Sequence, residues 1–570
     1  MRTKFNGILT LLLAFVVHVS FAQNKTISGT VTDQDGLALP GVNILVEGTT
    51  TGTQTDFDGN YSIEASEGQV LLFSYIGQRD VRRTVGADST INVQMEEDAQ
   101  ALEEVVVTAL GIKREKQALG YAVAEVGEDE LESRPEGDVA RVLQGKASGV
   151  QITNQSGLSG SGTNIVIRGL STFSSSNQAL FIVDGVPFST DTNSQGRLGD
   201  RQDFINGNNG SSRFLDLDPN SIESVNVLKG LAAATLYGSQ GRNGVVLITT
   251  KGGSGQTGPK KTEITVNSSV FFNQIASLPD YQDEYGNGFD QNFGWFFSNW
   301  GPSFREGGPA GWGNQPLIDA NGTLAHPYST STSAIQAAFP EFQGARYDWR
   351  PYDSVRDFFR TGLVTSNNIN VRGASDDGNI SYNLNYGYLK DNGFTPNNSV
   401  TRNTLGIGGS AKLSNKFTVN GTLNYARTKF VSPPVSLSQG NGATGTGSST
   451  FGDLWFTPRS IDVIGLPFQD PVTGGRVYYR QNNSIQHPLW TIQNAESNQS
   501  TNRVFGQAAI LYDINDNLVL SYRAGLDIDS ENNVNLQNKG GVNSNSNDVR
   551  LQSGFYETWN NTNTIWDHNV

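Results

Sequence analysis

The sequence predicts a multidomain chain: an all-β Ig/transthyretin-like sandwich, then a compact α+β region, then antiparallel transmembrane β-barrel strands forming a partial barrel. Three observations predict this order. Residues 26–96 hold short alternating strands broken by turn dipeptides. Residues 117–252 mix apolar strands with helical segments carrying start and stop signals. From Lys261 onward, long strands are apolar on one face and rich in Asn, Ser and Thr on the other.

Ahead of the sandwich, residues 1–22 have the layout of a secretory signal. Arg2 and Lys4 supply the positive start, Ile8 to Val19 the apolar core, and Ser20-Phe21-Ala22 a small-residue cleavage site before Gln23. A membrane-spanning helix is the alternative, but the run is short and the cleavage site follows directly. The chain has 570 residues, a formal net charge of −15, no cysteine and four histidines. Without cysteine there is no disulfide scaffold, thiolate zinc site or iron–sulfur cluster, and no thiol near the N-terminus to carry a lipid anchor. His18, His326, His487 and His568 are too scattered to suggest a metal centre. The negative charge argues against nucleic acid as a partner. No later run offers the roughly 20 apolar residues of a spanning helix, so a membrane location requires a barrel.

In the sandwich, Ile27, Gly29 and Val31 share one face, and Val42, Ile44 and Val46 point inward after the Pro40-Gly41 turn. "TDFDGNYSIEA" reads as a hairpin around Asp58-Gly59. Asp56, Asp58, Asn60 and Glu67 invite a calcium-loop reading, but Tyr61 stands where that loop needs Gly. A linker follows over 97–116: Glu103 and Glu104, then Val105, Val106 and Val107, then Lys113, Arg114 and Lys116. An unprotected valine strand invites pairing, and the flanking charges limit self-association.

In the α+β region, Val139, Val142 and Leu143 at helical spacing predict an amphipathic helix ended by Gly149. Ile165 and Ile167 mark one strand, and "ALFIVDGVPF" another that turns at Asp184-Gly185. Asp218 reads as an N-cap with Pro219 at the first helical position, ahead of a strand through Val225 and Val227. An Ala-rich helix stopped by Gly238 and a buried strand, "NGVVLITT", complete the region.

In the last region, Ile380, Tyr382, Leu384, Tyr386 and Tyr388 oppose Asn379, Ser381, Asn383, Asn385 and Gly387. Phe417, Val419, Leu423 and Tyr425 oppose Thr418, Asn420, Thr422 and Asn424, and Leu518, Leu520, Tyr522, Leu526 and Ile528 oppose Ser521, Arg523 and Asp527. A large soluble sandwich also alternates, but lipid outside and a wet lumen inside account better for long strands with a polar face. Short turns such as Ser414-Asn415 contrast with long loops at 276–360 and 431–500. Trp295, Trp300, Trp312 and Trp349 crowd the first loop, either as a platform for a ligand or lid protein or as the loop's own core.

No nucleophile–base–acid set is visible, so a carrier, receptor or scaffold is expected rather than an enzyme, with no cofactor and no metal. Gly440, Gly442 and Gly445 have dinucleotide-loop spacing, but no strand and helix frame them.

"LEEVVVTALGIKREKQALGYAVAEV", "LQGKASGVQITNQSG", "IVIRGLST", "LFIVDGVP", "DLDPNSIESVNVLKGLAAATLYGSQGRNGVVLITTKGG" and "DWRPYDSVRDFFRTG" together resemble the SusC/RagA family of TonB-linked outer-membrane transporters. The resemblance implies a carboxypeptidase-regulatory-like domain over 23–96, a plug over 117–252 bearing the Arg168-Gly169 and Asp184-Gly185 motifs, and the first part of a barrel over 261–570. It implies that Glu104, Val105, Val106, Val107, Thr108 and Ala109 are the TonB box. The implied partners are the C-terminal domain of TonB in its complex with ExbB and ExbD, a SusD-like lipoprotein lid, an oligosaccharide or peptide, and the outer-membrane bilayer. The roughly nine strands after Lys261 fall short of a 22-stranded barrel, so a fragment of a longer product is expected. Arg168 is expected to form a charge pair with the barrel wall or to be a solvated lumen residue. A surface adhesin without active transport is the competing function, although it has no use for an exposed valine strand in a tether.

Overall fold

The computed structural model describes residues 25–34, 36–49, 51–75, 78–96, 105–107, 113–115, 123–132, 136–154, 156–171, 177–190, 210–252, 262–307, 310–434, 450–479, 486–515, 518–541 and 553–570. The chain divides into two compact units, the first holding the N-terminal sandwich and the second everything from Tyr121 onward.

The sandwich has seven strands: β1 (Lys25–Thr32), β2 (Asn43–Val46), β3 (Gly52–Gln54), β4 (Asn60–Ala65), β5 (Val70–Tyr75), β6 (Gln78–Thr84) and β7 (Val93–Gln94). One sheet has the order β4-β1-β7, the other β3-β2-β5-β6. Ile27, Val31, Val42, Ile44, Val46, Ile63 and Phe73 fill the space between them. The hairpin expected at Asp58-Gly59 is not formed. β3 pairs with β2 and β4 with β1, so the turn carries the chain from one sheet to the other. Asp56 directs this crossing: its carboxylate accepts the backbone N–H groups of Asp58 and Asn60 at 3.0 and 2.8 Å. Gly59 supplies the positive φ of 74° that the turn needs.

The α+β region is built on a five-stranded sheet of β10 (Val123–Gly127), β13 (Leu180–Val183), β14 (Val186–Phe188), β15 (Ile222–Leu228) and β16 (Val245–Thr250). Its order is β10-β15-β16-β13-β14. A separate hairpin joins β11 (Val150–Asn154) to β12 (Thr163–Ile167). The helix expected to run to Gly149 is a single turn, Val139–Val142, capped by the Asp138 carboxylate on Ala140 N–H. Gly145, at φ 81°, bends the chain before a second turn can form. Asp218 caps as expected, but only a 3₁₀ turn, Pro219–Ser221, follows before β15 takes over. Asp184 and Gly185 both have positive φ, 49° and 84°, the backbone of a two-residue primed turn between β13 and β14.

The third region is one antiparallel sheet of eight strands in sequential order. They are β17 (Glu263–Asn273), β18 (Gly362–Ala374), β19 (Ile380–Asn392), β20 (Ser399–Ser414), β21 (Phe417–Ser432), β22 (Ala495–Asn515), β23 (Leu518–Gln537) and β24 (Phe555–Asn569). The sheet therefore has eight strands against the roughly nine expected. The second long loop spans 433–494, not 431–500, because the polar run "ESNQSTN" extends β22 in full register with β21 and β23.

Burial confirms the inverted pattern. Ile380, Tyr382, Leu384 and Tyr386 are exposed, whereas Asn383 and Asn385 are buried. Water-soluble sheets bury the apolar face; here the polar face is covered, by the α+β region, and the apolar face is bare. Gly160 of that region comes so close to Val400 of β20 that a Cβ would collide with it.

Candidate functional site: the tether and the plug–wall interface

Of the residues expected to form the TonB box, Val105–Val107 are described, as a short strand β8; Glu104, Thr108 and Ala109, and the expected cleavage residues Ala22 and Gln23, lie outside the described residues. β8 forms a two-stranded sheet with β9 (Lys113–Glu115). The segment thus takes the extended backbone that β-branched residues favour.

Downstream, the polar face of the barrel sheet meets the α+β region through buried ion pairs. Arg503 on β22 binds Asp527 on β23 twice, at 2.6 and 2.8 Å, and reaches Asp216 at 3.4 Å. It also donates to the Ser189 carbonyl at 2.9 Å and stacks on Phe188, with 3.3 Å from Cζ to the ring centroid. Arg213 answers from the opposite side, with Asp216 at 3.6 Å, Glu531 at 3.3 Å and the Thr501 hydroxyl at 2.5 Å. A second cluster centres on Arg402 of β20. It contacts Asp218 at 3.2 Å and donates to the carbonyls of Gly137 and Leu217 at 2.7 and 2.8 Å. Ser159 adds a third contact, to Asp391 at 2.9 Å and Asn398 at 2.8 Å. Arg213, Arg402 and Arg503 are each no more than 1% exposed. Their burial is offset because each guanidinium is shared among several acceptors.

None of these residues was singled out from the sequence as a contact. Their signal is visible in retrospect: Asp527, Asp529 and Glu531 recur at period two on the polar strand face, and Arg213, Asp216 and Asp218 cluster in "RFLDLD". Of the two expectations for Arg168, a charge pair with the wall or a solvated residue, the pair is not seen among the described residues. Arg168 is exposed, at φ 59°, with its guanidinium against Gly230 of its own region. The wall contact is made by the other motif. Asp184 accepts from Thr250 N–H and hydroxyl at 2.8 and 2.7 Å. Burial raises its carboxyl above the usual range, while the Thr250 and Thr422 hydrogen bonds and the Arg523 charge pull it back. Arg523 of β23 covers the turn so closely that a Cβ on Gly185 would strike its guanidinium.

The four tryptophans do not form one platform. Trp312 and Trp349 are buried in the loop core with Tyr347, Ile461 and Tyr478, and Trp295 packs against it. Trp300 is 57% exposed.

Comparison with known proteins agrees with this layout. Residues 115–245 match the TonB-dependent receptor plug domain, and residues 27–107 match the CarboxypepD_reg-like domain. TonB-dependent receptor P26 of Formosa agariphila is 36% identical over 255 residues, 45% of this chain and 23% of that protein. TonB-dependent receptor SusC of Bacteroides thetaiotaomicron is 28% identical over 495 residues, 85% of this chain and 41% of that protein. The chain spans less than half the length of these curated relatives. The fold is similar to the RagAB peptide importer in its open-open state, with a TM-score of 0.56 at 18% identity, covering 82% of this chain and 46% of that one. Such receptors are outer-membrane transporters rather than enzymes. The two domain matches in this order, the similar receptors and the inverted sheet around the plug make the chain similar to TonB-dependent receptors of the SusC/RagA type.

Proposed function

We propose that this chain serves active import of oligosaccharides, or of peptides, across the outer membrane, with TonB moving the plug at the expense of the proton-motive force. The observation that carries the reading is the plug's attachment. It is held to the wall by the ion pairs Arg402–Asp218, Arg213–Glu531 and Arg503–Asp216, whose members can be rehydrated, and an extended valine strand lies in the tether just upstream. In this reading Glu104–Ala109 is the TonB box. Strand addition to a sheet edge of TonB would exchange β8's pairing with β9 for pairing with the partner. Residues 1–22 would direct export, with the sandwich (23–96) and the tether (97–116) in the periplasm, the plug over 117–252 and barrel strands over 261–570. A SusD-like lipoprotein would lid the long loops.

The test of coupling is direct. A peptide of residues 102–112 should bind the purified C-terminal domain of TonB, and Val106→Pro should abolish binding, because proline removes a ladder donor. Equal binding by both peptides would rule out strand pairing. For cargo, cells lacking the gene should lose TonB-dependent uptake of labelled oligosaccharides. Loss of labelled peptide uptake alone would select the peptide reading suggested by the RagAB likeness.

A further inference from the structure

The first long loop carries a two-residue hairpin in which Gly288–Phe289 pairs with Asn292–Phe293 around Asp290 and Gln291. Asp290 has φ 48° and Gln291 φ 63°. Asp is an ordinary first residue for such a primed turn, but the second is normally Gly. A glutamine there is strained, because its Cβ crowds the backbone. The other non-glycine residues with positive φ among the described residues, Arg168, Asp184 and Asn397, occur singly. Glycine is used two positions earlier, at Gly288, where a Cβ would strike the Asn292 carbonyl. The tip therefore carries two polar side chains at the cost of backbone strain, a pattern associated with ligand contacts.

The tip is held rigidly. Gln291 N–H donates to the Trp300 carbonyl at 3.0 Å. The Gln315 amide donates to the Gln291 carbonyl at 2.9 Å and accepts Phe293 N–H at 3.1 Å. Beside the turn, the rings of Phe289 and Trp300 stand 5.7 Å apart, tilted at 49°. Both are more than half exposed, at 56% and 57%. The Asp290 carboxylate has no cation and no hydrogen-bond donor among the described residues. The neighbouring cations are spent elsewhere: Arg305 on Glu284 at 3.3 Å, and Arg459 on Asp283 and Asp353 at 2.5 and 2.9 Å. Residues 276–360 hold ten Asp and Glu against five Arg and no Lys, so the surrounding charge is negative too.

We infer that Phe289, Asp290 and Trp300 form a receptor for a cationic side chain, lysine or arginine, of a peptide held on this loop. Aromatic ring faces are negative and attract an ammonium or guanidinium group. The adjacent carboxylate supplies the counter-charge. The Gln291 amide offers one acceptor and two donors to the peptide's backbone. A neutral sugar would stack on the same rings but leave the charge of Asp290 unanswered; a lysine or arginine uses both. The inference rests on the import reading above and selects its peptide branch.

The test uses the full-length receptor purified in detergent, with acetylated, amidated Ala-Lys-Ala and Ala-Gln-Ala as probes in titration calorimetry. Wild type should prefer the lysine peptide about tenfold. Trp300→Ala and Asp290→Asn should each bring the ratio close to one, and the wild-type preference should shrink as salt is added. Leu317→Ala, at a 61% exposed position of the same loop, should keep it. No lysine preference in wild type, or a preference that survives both Trp300→Ala and Asp290→Asn, would overturn the site. So would binding of a neutral maltooligosaccharide that Trp300→Ala abolishes, without any lysine preference; the rings would then belong to a sugar. Import is read separately on cells with a fluorescent lysine peptide. Val106→Pro should stop its uptake and leave its surface binding intact. Uptake unchanged by Val106→Pro removes the coupled-import reading and leaves the cation site standing. Uptake stopped by Val106→Pro but indifferent to lysine removes the site and leaves import standing.

Discussion

The plug–wall interface and the core of the long loops are both sealed from water, but by opposite means. The loop core is aromatic: Trp349 packs on Phe293 and Phe304 with centroids 5.5 and 5.3 Å apart, and Tyr478 on Tyr479 at 4.6 Å. The plug–wall interface instead buries Arg213, Arg402 and Arg503 among carboxylates and carbonyls. Parting two apolar surfaces forfeits the full area term. Parting ion pairs returns charges to water, whose hydration recovers most of what the contact supplied. On the proposed import reading, a plug held by charges sits tightly and is still drawn away into a hydrated lumen, whereas a loop held by rings keeps its shape while that happens.

The strongest way to break this contrast is to leave the interface's charges unbalanced. Arg503→Met strands Asp527 in a buried site, leaves Asp216 with Arg213 alone as its cation, and should cost about 3–5 kcal/mol. The loss should appear as a lower urea midpoint for plug protection from protease, with strand signals of the barrel unchanged. Adding Asp527→Leu should recover part of it. If Arg503→Met alone leaves plug protection unchanged, the ion pairs do not hold the plug.

Acid should sharpen the contrast from the other side. His326 stacks on Phe342 at 3.9 Å and its Nδ1 accepts Tyr328 N–H at 3.2 Å; His487 caps the helix Pro488–Asn494 through Nδ1 on Leu489 N–H, also at 3.2 Å. Both bonds need a neutral imidazole. Burial holds His326 down at about 4 and His487, with the added push of the Arg476 charge, at about 3. Each folded value lies below the unfolded one near 6.5. The stabilisation is therefore complete above pH 6.5 and is lost as pH falls toward 4 and 3. Hydrogen exchange over residues 323–347 and 486–494, corrected for intrinsic rates, should show protection falling across that window. His487→Asn keeps a capping acceptor without the titration and should flatten the dependence over 486–494. An unchanged slope in that variant would place the acid sensitivity elsewhere.

How much of this was legible beforehand depends on which interactions set each feature. The barrel strands were readable because period-two alternation is local, and "NISYNLNYGYLKD" shows its two faces without help. The valine strand of the tether was readable because a run of β-branched residues favours extended backbone. The helix after Asp138 was overread because Val139, Val142 and Leu143 have helical spacing, yet Gly145 and the packing of the plug allow only one turn. The Asp58-Gly59 turn was misassigned because turn dipeptides fix local backbone, not which sheet the next strand joins. The ion pairs were hidden most deeply. Arg213 and Glu531 are 318 positions apart, and only the closure of plug on wall brings them to 3.3 Å.

The smallest effect provides the control for the largest. Arg372 on β18 pairs with Glu263 on β17 at 2.8 Å, the length of the longer of Arg503's two bonds to Asp527. Its contact distance is therefore comparable, although it makes one bond where Arg503 makes two. What differs is water: the two side chains are 40% and 46% exposed, against 0% and 1% for Arg503 and Asp527. Solvent screens the attraction and rehydrates whichever partner is left behind. Arg372→Gln should then change stability by less than about 1 kcal/mol, read as the urea midpoint under the conditions used for Arg503→Met. A cost comparable to that of Arg503→Met would mean that bond geometry, not burial, sets the strength of these pairs. It would also remove the reason for treating the plug's charges as a separable fastening.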